Sequence, residues 1–215
     1  MATVTGKVAR LRVTAAAATS STDNAATLST SGLVLSIDST AKRHWNRATS
    51  THVVVFEGVT NRTTDIASIN YVQGEVTLDT AGTTSNTWTV DVEHLTSSYL
   101  GEGRSWQATV NTDLVDQTAF STTTGDVQWR TMKPGLSGGS VSIERFWATS
   151  TGAAFFDRLA SEQDTVIELW RDHATRNKLE GFAHVSGDEF EVPIDESAAE
   201  SVSLTIDGQL YHSTK

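Results

Sequence analysis

The chain has no cysteine, so it can hold neither a disulfide framework nor a thiolate metal site. Its two prolines leave long stretches free to join a sheet. No apolar run approaches the roughly 18 residues needed to cross a bilayer. The start, MATVTGKVARLRVTAAAATS, sets basic residues before an Ala-rich run, but Arg12 and Thr14 interrupt it; a soluble chain without a secretory signal is expected. Cations are scarce as well. Lys and Arg number 16 against 26 Asp and Glu, and the formal charge of −10 argues against general attraction to nucleic-acid phosphates. The imbalance lies in the second half, where residues 108–215 hold 8 basic and 17 acidic groups.

What remains is rich in Ser and Thr, more than a quarter of the chain. Thr, Val and aromatic residues favour strands. Alternation is clear at Val72, Gly74, Val76 and Leu78, at Trp88, Val90 and Val92, and at Val202, Leu204 and Ile206. The turn-like AGTTSN between the first two sets predicts that they form a β-hairpin. Shorter strands are expected near 7–13, 33–37, 52–57, 105–110, 113–120, 126–131 and 139–147, with more after residue 164. The small-residue stretch TAAAATSSTDNAATLSTSG reads as a loop or arm that orders only against a partner. One helix is expected at about 152–162, capped by Thr149, Ser150 or Thr151 and packing through Phe155, Phe156 and Leu159. The reading is mainly β: an antiparallel sandwich or barrel with that helix at its flank. It is one domain overall, with an N-terminal strand and arm at 1–32 and the sandwich at 33–215.

Gly135-Leu136-Ser137-Gly138-Gly139 matches G-x-S-x-G, the elbow that presents a nucleophilic serine. That elbow needs a strand before the serine and a helix after it. Pro134 and Gly135 would stop a strand, and Val141 and Ile143 begin one. Pro134, Gly135, Ser137, Gly138 and Gly139 therefore read as a strand-to-strand turn. Asp172 and His173 would complete a triad in order only, because neighbours on a strand face opposite ways. The six histidines lack metal-ligand spacing. Acids at 188, 189, 191, 195 and 196 suggest calcium, yet no Asx-Gly loop accompanies them, and a solvated acidic strand edge is the expectation. Lys42-Arg43-His44-Trp45-Asn46-Arg47 is the basic and aromatic cluster; Lys42, Arg43, His44, Trp45 and Arg47 read as anchors for a protein partner. No enzyme, metal or cofactor emerges.

The order of the pieces resembles the tail tube, or major tail, proteins of long-tailed bacteriophages. DIASINYVQGEVTLDT, TWTVDV and Tyr99 resemble the middle of such proteins. In DLVDQTAFSTTTGDVQWRTMKPGLSGGSVSIERFW, the residues Asp116, Thr118, Phe120, Pro134, Gly135 and Leu136 occupy the places of a D-x-T-x-F strand and a P-G-L turn. A strand bearing Gly181 and a closing ESVSLTIDG follow, so the likeness runs over about 65–210. It implies a non-enzymatic subunit whose hexameric rings stack into a tube for DNA ejection. It also implies tape measure, tail terminator and distal tail proteins as partners, and a place in the virion tail after assembly in the host cytoplasm. A lumen that repels phosphates is then expected, with Glu75, Thr77, Asp79, Thr89 and Asp91 facing it, and 1–32 and 40–65 making contacts between subunits. A tube protein of a contractile injection system is one alternative. A carbohydrate-binding sandwich using Trp106, Trp129 and Trp147 is another.

Overall fold

The computed structural model describes residues 10–48, 53–99, 103–116, 132–146, 165–172, 176–192 and 198–213. Its strands are β1 (Arg10–Leu28), β2 (Val34–Ile37), β3 (Val54–Glu57), β4 (Thr60–Asn61), β5 (Ile66–Asn70), β6 (Glu75–Leu78), β7 (Trp88–Tyr99), β8 (Gly103–Asp116), β9 (Met132–Phe146), β10 (Thr165–Asp172), β11 (Asn177–Glu191) and β12 (Ala199–Ser213). They form one 12-stranded antiparallel sheet in the order β4-β3-β7-β1-β10-β11-β12-β9-β8, with β2, β6 and β5 branching from β1. The fold is therefore mainly antiparallel β, as the composition implies. The expected helix with Phe155, Phe156 and Leu159 lies outside the described residues.

The sheet encloses two main cores. Val141, Ile143, Ile167, Leu169, Val202 and Leu204 fill the first, beneath β9 to β12. Leu35, Trp45, Val55, Val76, Trp88 and Val90 fill the second, between the β2-β6 and β3-β7 strands. Val72, Leu95, Val166 and Phe182 pack together as a third, smaller cluster. Each fully buried Val, Leu or Ile stabilises the fold by about 1.5–3 kcal/mol relative to exposure. The alternations place the expected residues inward: Val72, Val76, Leu78, Trp88, Val90, Val92, Val202, Leu204 and Ile206 are all buried.

Three expectations are overturned. The stretch after residue 13 is not an arm. It continues β1, which pairs with β7 from Arg12 to Ala26 and also with β10 and β2. Its irregular composition reflects bulges, between Thr14 and Ala18 and between Ser21 and Asn24. At the second, Asp23 takes a φ of 53°, a conformation Asp tolerates better than most residues. The Asn24 amide donates to the Ser21 and Val90 carbonyls at 3.1 and 2.8 Å, replacing ladder bonds lost to the bulge.

The predicted hairpin of 72–78 with 87–92 does not form either. β6 pairs with β2 and β5, while β7 pairs with β1 and β3. Both strands turn their apolar sides into one core, so burial satisfies them without mutual pairing.

Finally, Pro134, Gly135, Ser137, Gly138 and Gly139 do not make a turn; they lie inside β9, opposite β8. Between Thr112↔Ser137 and Leu114↔Pro134, β9 carries one more residue than β8, a bulge at Gly135-Leu136. Pairing of β9 with β12 covers only Ser140 to Phe146, so Pro134 sits on a stretch with a neighbour on one side, where its missing N–H is tolerated. Gly139 serves a close approach: a Cβ there would lie 2.6 Å from Ile206 Cδ1 and 2.7 Å from the Thr109 carbonyl.

Candidate functional site

The middle of the basic and aromatic cluster is buried, while Lys42 and Arg47 at its ends are half-buried. Arg43, His44 and Trp45 are 4, 1 and 1 % exposed, which corrects their reading as anchors for a partner. After the 3-10 turn Thr40–Lys42, this segment runs across the sheet as a strap, and successive side chains reach different strands. Lys42 Nζ donates to Ser21 Oγ and Asn24 Oδ1 on β1, each at 2.7 Å. Arg43 pairs with Glu180 on β11, and Arg47 with Asp207 on β12. The Trp45 amide donates to the Tyr71 carbonyl at 2.7 Å, and its indole N–H to the Lys42 carbonyl at 2.9 Å. Gly74 makes room for the strap: its φ is +66°, and a Cβ there would lie 2.8 Å from the Arg43 backbone.

His44 shows how charge is held in the interior. Its Nδ1 faces the Val72 carbonyl at 2.8 Å and its Nε2 faces Glu168 Oε1 at 2.7 Å. A carbonyl and a carboxylate thus hold the two ring nitrogens and fix the orientation of the imidazole. Burial raises the Glu168 pKa, but the hydrogen bond and charge of His44, the Lys178 charge and the Trp170 N–H outweigh it and bring it to about 2. His44, Glu168 and Glu180 offer ligand atoms within 4.8 Å of one another. However, Arg43 and Lys178 stand within the same group, and their charges make it an ion-pair network rather than a metal centre.

The expected lumen residues are dispersed. Glu75 and Thr77 on β6 and Thr89 and Asp91 on β7 are half-buried, and Asp79 is exposed. Glu75 accepts from the Ser36 hydroxyl at 3.0 Å, and Asp91 from the Asp23 amide at 2.7 Å. The missing hairpin keeps them from forming one patch.

A more continuous polar face lies on β8, β9, β12 and β11, on the side away from the core. Register aligns Ser105, Glu144, Ser201 and Glu189 in one row. Gln107, Ser142 and Ser203 stand in the next, and Thr109, Ser140, Thr205 and His184 in a third. No Lys or Arg stands in these three rows. The sequence signal was present in SVSIE and ESVSLTI, whose hydroxyls fall at every second position.

Beyond this face, β8 and β9 run on as an exposed arm. β8 pairs with β9 alone among the described strands, so its other edge is open. Val110, Leu114, Met132 and Leu136 are 58, 63, 38 and 83 % exposed on it. Ser137 is here, its hydroxyl 2.9 Å from that of Thr112 in mid-strand, not on an elbow. His173 lies outside the described residues, as do Trp129 and Trp147, while Trp106 packs partly buried against the first core.

The acidic edge of β11 divides. Glu189 and Glu191 are exposed as expected, and residues 195 and 196 lie outside the described part. Asp188 departs from the expectation: both its oxygens are buried without a hydrogen-bond partner. Burial, then the adjacent Glu200 carboxyl, raise its pKa well above the usual carboxylate range.

No family model matches the chain, and no curated protein matches it. Among solved structures, the chain is similar to one from the tail of an empty gene transfer agent particle refined with C6 helical symmetry, with a TM-score of 0.47 and 13% identity over 55% of this chain and 87% of that one. A chain from the virion of a native gene transfer agent gives 0.46 and 14%, covering 54% and 88%. One from the SPP1 tail tube gives 0.41 and 12%, covering 56% and 69%. Overlap at this level carries no argument about function, which has to rest on the residues and their geometry.

Proposed function

We propose that the chain is a non-enzymatic structural subunit of a phage-type tail tube, assembling into stacked hexameric rings that conduct DNA during ejection. The observation that carries this is the arm of β8 and β9: an edge unpaired among the described strands, with four exposed apolar side chains, which is a liability for a monomer and an asset for a polymer. Head-to-tail pairing of such edges closes a ring, and arms reaching a neighbouring ring stack it. The ordered sequence resemblance points the same way. In this reading the lumen is lined by the rows of β8, β9, β12 and β11 rather than by β6 and β7. A face of hydroxyls and glutamates without cations repels phosphates and lets the duplex slide. Tape measure, terminator and distal tail proteins would be its partners in a virion tail. A contractile system would use the same subunit plan, and a neighbouring sheath gene distinguishes it.

Negative-stain microscopy of concentrated protein tests the proposal. Wild type should form rings or tubes, and the double variant Leu114→Asp/Leu136→Asp should not, while its unfolding free energy stays within about 0.5 kcal/mol of wild type. A wild type that stays monomeric at every concentration, or a variant that polymerises normally, would sink it.

A further inference from the structure

We propose that Lys42 and Asn24 are the site of a self-catalysed isopeptide bond, a covalent amide between their side chains that ties the strap to β1 independently of how copies of the chain assemble. A chain without cysteine has no disulfide for this purpose. Register gathers the site. Asn24 on β1 stands opposite Val90 on β7, Ser21 opposite Val92 and Thr19 opposite His94, and the strap brings Lys42 onto Ser21 and Asn24. Val90 and Val92 are buried, so the group sits on the core side of these strands.

The electrophile is the Asn24 carboxamide. It is 6 % exposed, and its Nδ2 donates to the Val90 and Ser21 carbonyls at 2.8 and 3.1 Å, which fixes its plane. Its Oδ1 accepts from the Ser21 hydroxyl and from Lys42 Nζ, each at 2.7 Å. Two donors on one carbonyl oxygen draw electrons from Cγ, and the hydroxyl remains to stabilise the oxyanion that attack creates. Lys42 Nζ is the nucleophile, already held against the group it attacks, so the step has the advantage of an intramolecular reaction. Among the described residues Lys42 pairs with no carboxylate; its partners are the hydroxyl and the carboxamide, and no ion pair retains its proton.

His94 supplies the base. It is 8 % exposed, and its Nδ1 is buried with no hydrogen-bond partner among the described residues. Burial, then the charge of Lys42, lower its pKa and keep the ring neutral. The imidazole takes a proton from Nζ, and the amine attacks Cγ, forming the new C–N bond and placing the negative charge on Oδ1. Collapse of this intermediate breaks the Cγ–Nδ2 bond. One of the three Nζ protons stays on the new amide, and two leave with Nδ2 as ammonium by way of His94. Atoms and charge balance, and no oxidant or second reactant is required.

Intact-mass spectrometry of the full chain tests this. Wild type should weigh less than its sequence by one molecule of ammonia. Trypsin should fail to cut after Lys42, and a looped fragment Val13–Arg43 should carry the same deficit. Lys42→Arg keeps a cation that donates hydrogen bonds but lacks the amine, and should show the full sequence mass. His94→Gln should slow the loss of ammonia at least about a hundredfold; an unchanged rate would remove His94 from the step. A wild type of full sequence mass, fresh or aged, would overturn the proposal. The same deficit in Lys42→Arg would overturn it too, by placing the loss elsewhere in the chain. The wild-type mass decides even if a variant fails to fold.

Discussion

Replacing Arg43 with methionine tests whether the strap is an internal tie or an assembly surface. Arg43 and Glu180 are 4 and 0 % exposed, so the substitution strands a carboxylate in the interior. Breaking a buried pair by removing one partner typically costs about 3–5 kcal/mol. Lys178 Nζ, 3.2 Å from Glu180, remains and moderates the loss, so about 2–4 kcal/mol is expected. In a chain of this size each kcal/mol moves Tm by about 2–4 °C, which puts the fall between roughly 4 and 16 °C. The double variant Arg43→Met/Glu180→Leu should recover most of it, since an apolar pair of similar volume replaces both charges. Urea unfolding of all four species gives the coupling directly, and more than about 1 kcal/mol is expected for groups in contact. If Arg43→Met left stability within about 0.5 kcal/mol and lost only polymerisation, the strap would be an interface after all.

Two further outcomes follow from the same region. Glu168, with its pKa lowered to about 2, contributes stability that is fully present above the unfolded value of 4.5 and is lost as pH falls toward 2. Glu168→Gln should therefore flatten the acid limb of a urea-midpoint profile taken from pH 6 to pH 2; an unchanged limb would refute the assignment. Gly74→Ala should cost more than Gly58→Ala, although both positions have positive φ, because only Gly74 has the Arg43 backbone and Ile37 within 2.8 Å of a new Cβ. The left-handed conformation accounts for about 1–2 kcal/mol in each, and equal losses would show that the close approach is unimportant.

Which side of a strand is buried could be read from the chain, because a period of two survives whatever the partner. Which strands pair could not. The AGTTSN turn made β6 and β7 look like a hairpin, yet β6 pairs with the preceding β5 and the remote β2, and β7 with β1 and β3. Bulges hid continuity as well. β1 looked like an arm because its small, polar residues keep no sustained period, and two bulges shift the register within the strand. The P-G-L-S-G-G run was misread in the same way, since glycine and proline mark bulges and close approaches as well as reversals.

The strap was hidden for a different reason. Spacing alone cannot separate a cationic loop that meets solvent from one that meets buried carboxylates. The missing signal lay in its partners: Glu168 inside TVIELW and Glu180 inside KLEGFA are acids in runs too apolar for an exposed strand. A carboxylate forced inward demands a cation, and Lys42-Arg43-His44 supplies cations just after a short strand. This internal pairing also shapes the exterior. Arg43, Arg145 and Lys178 are spent on buried acids, so the surface presents fewer cations than the composition suggests. The hydroxyl and glutamate rows of β8, β9, β12 and β11 then stay free of positive charge, which is the property a conduit for a polyanion requires.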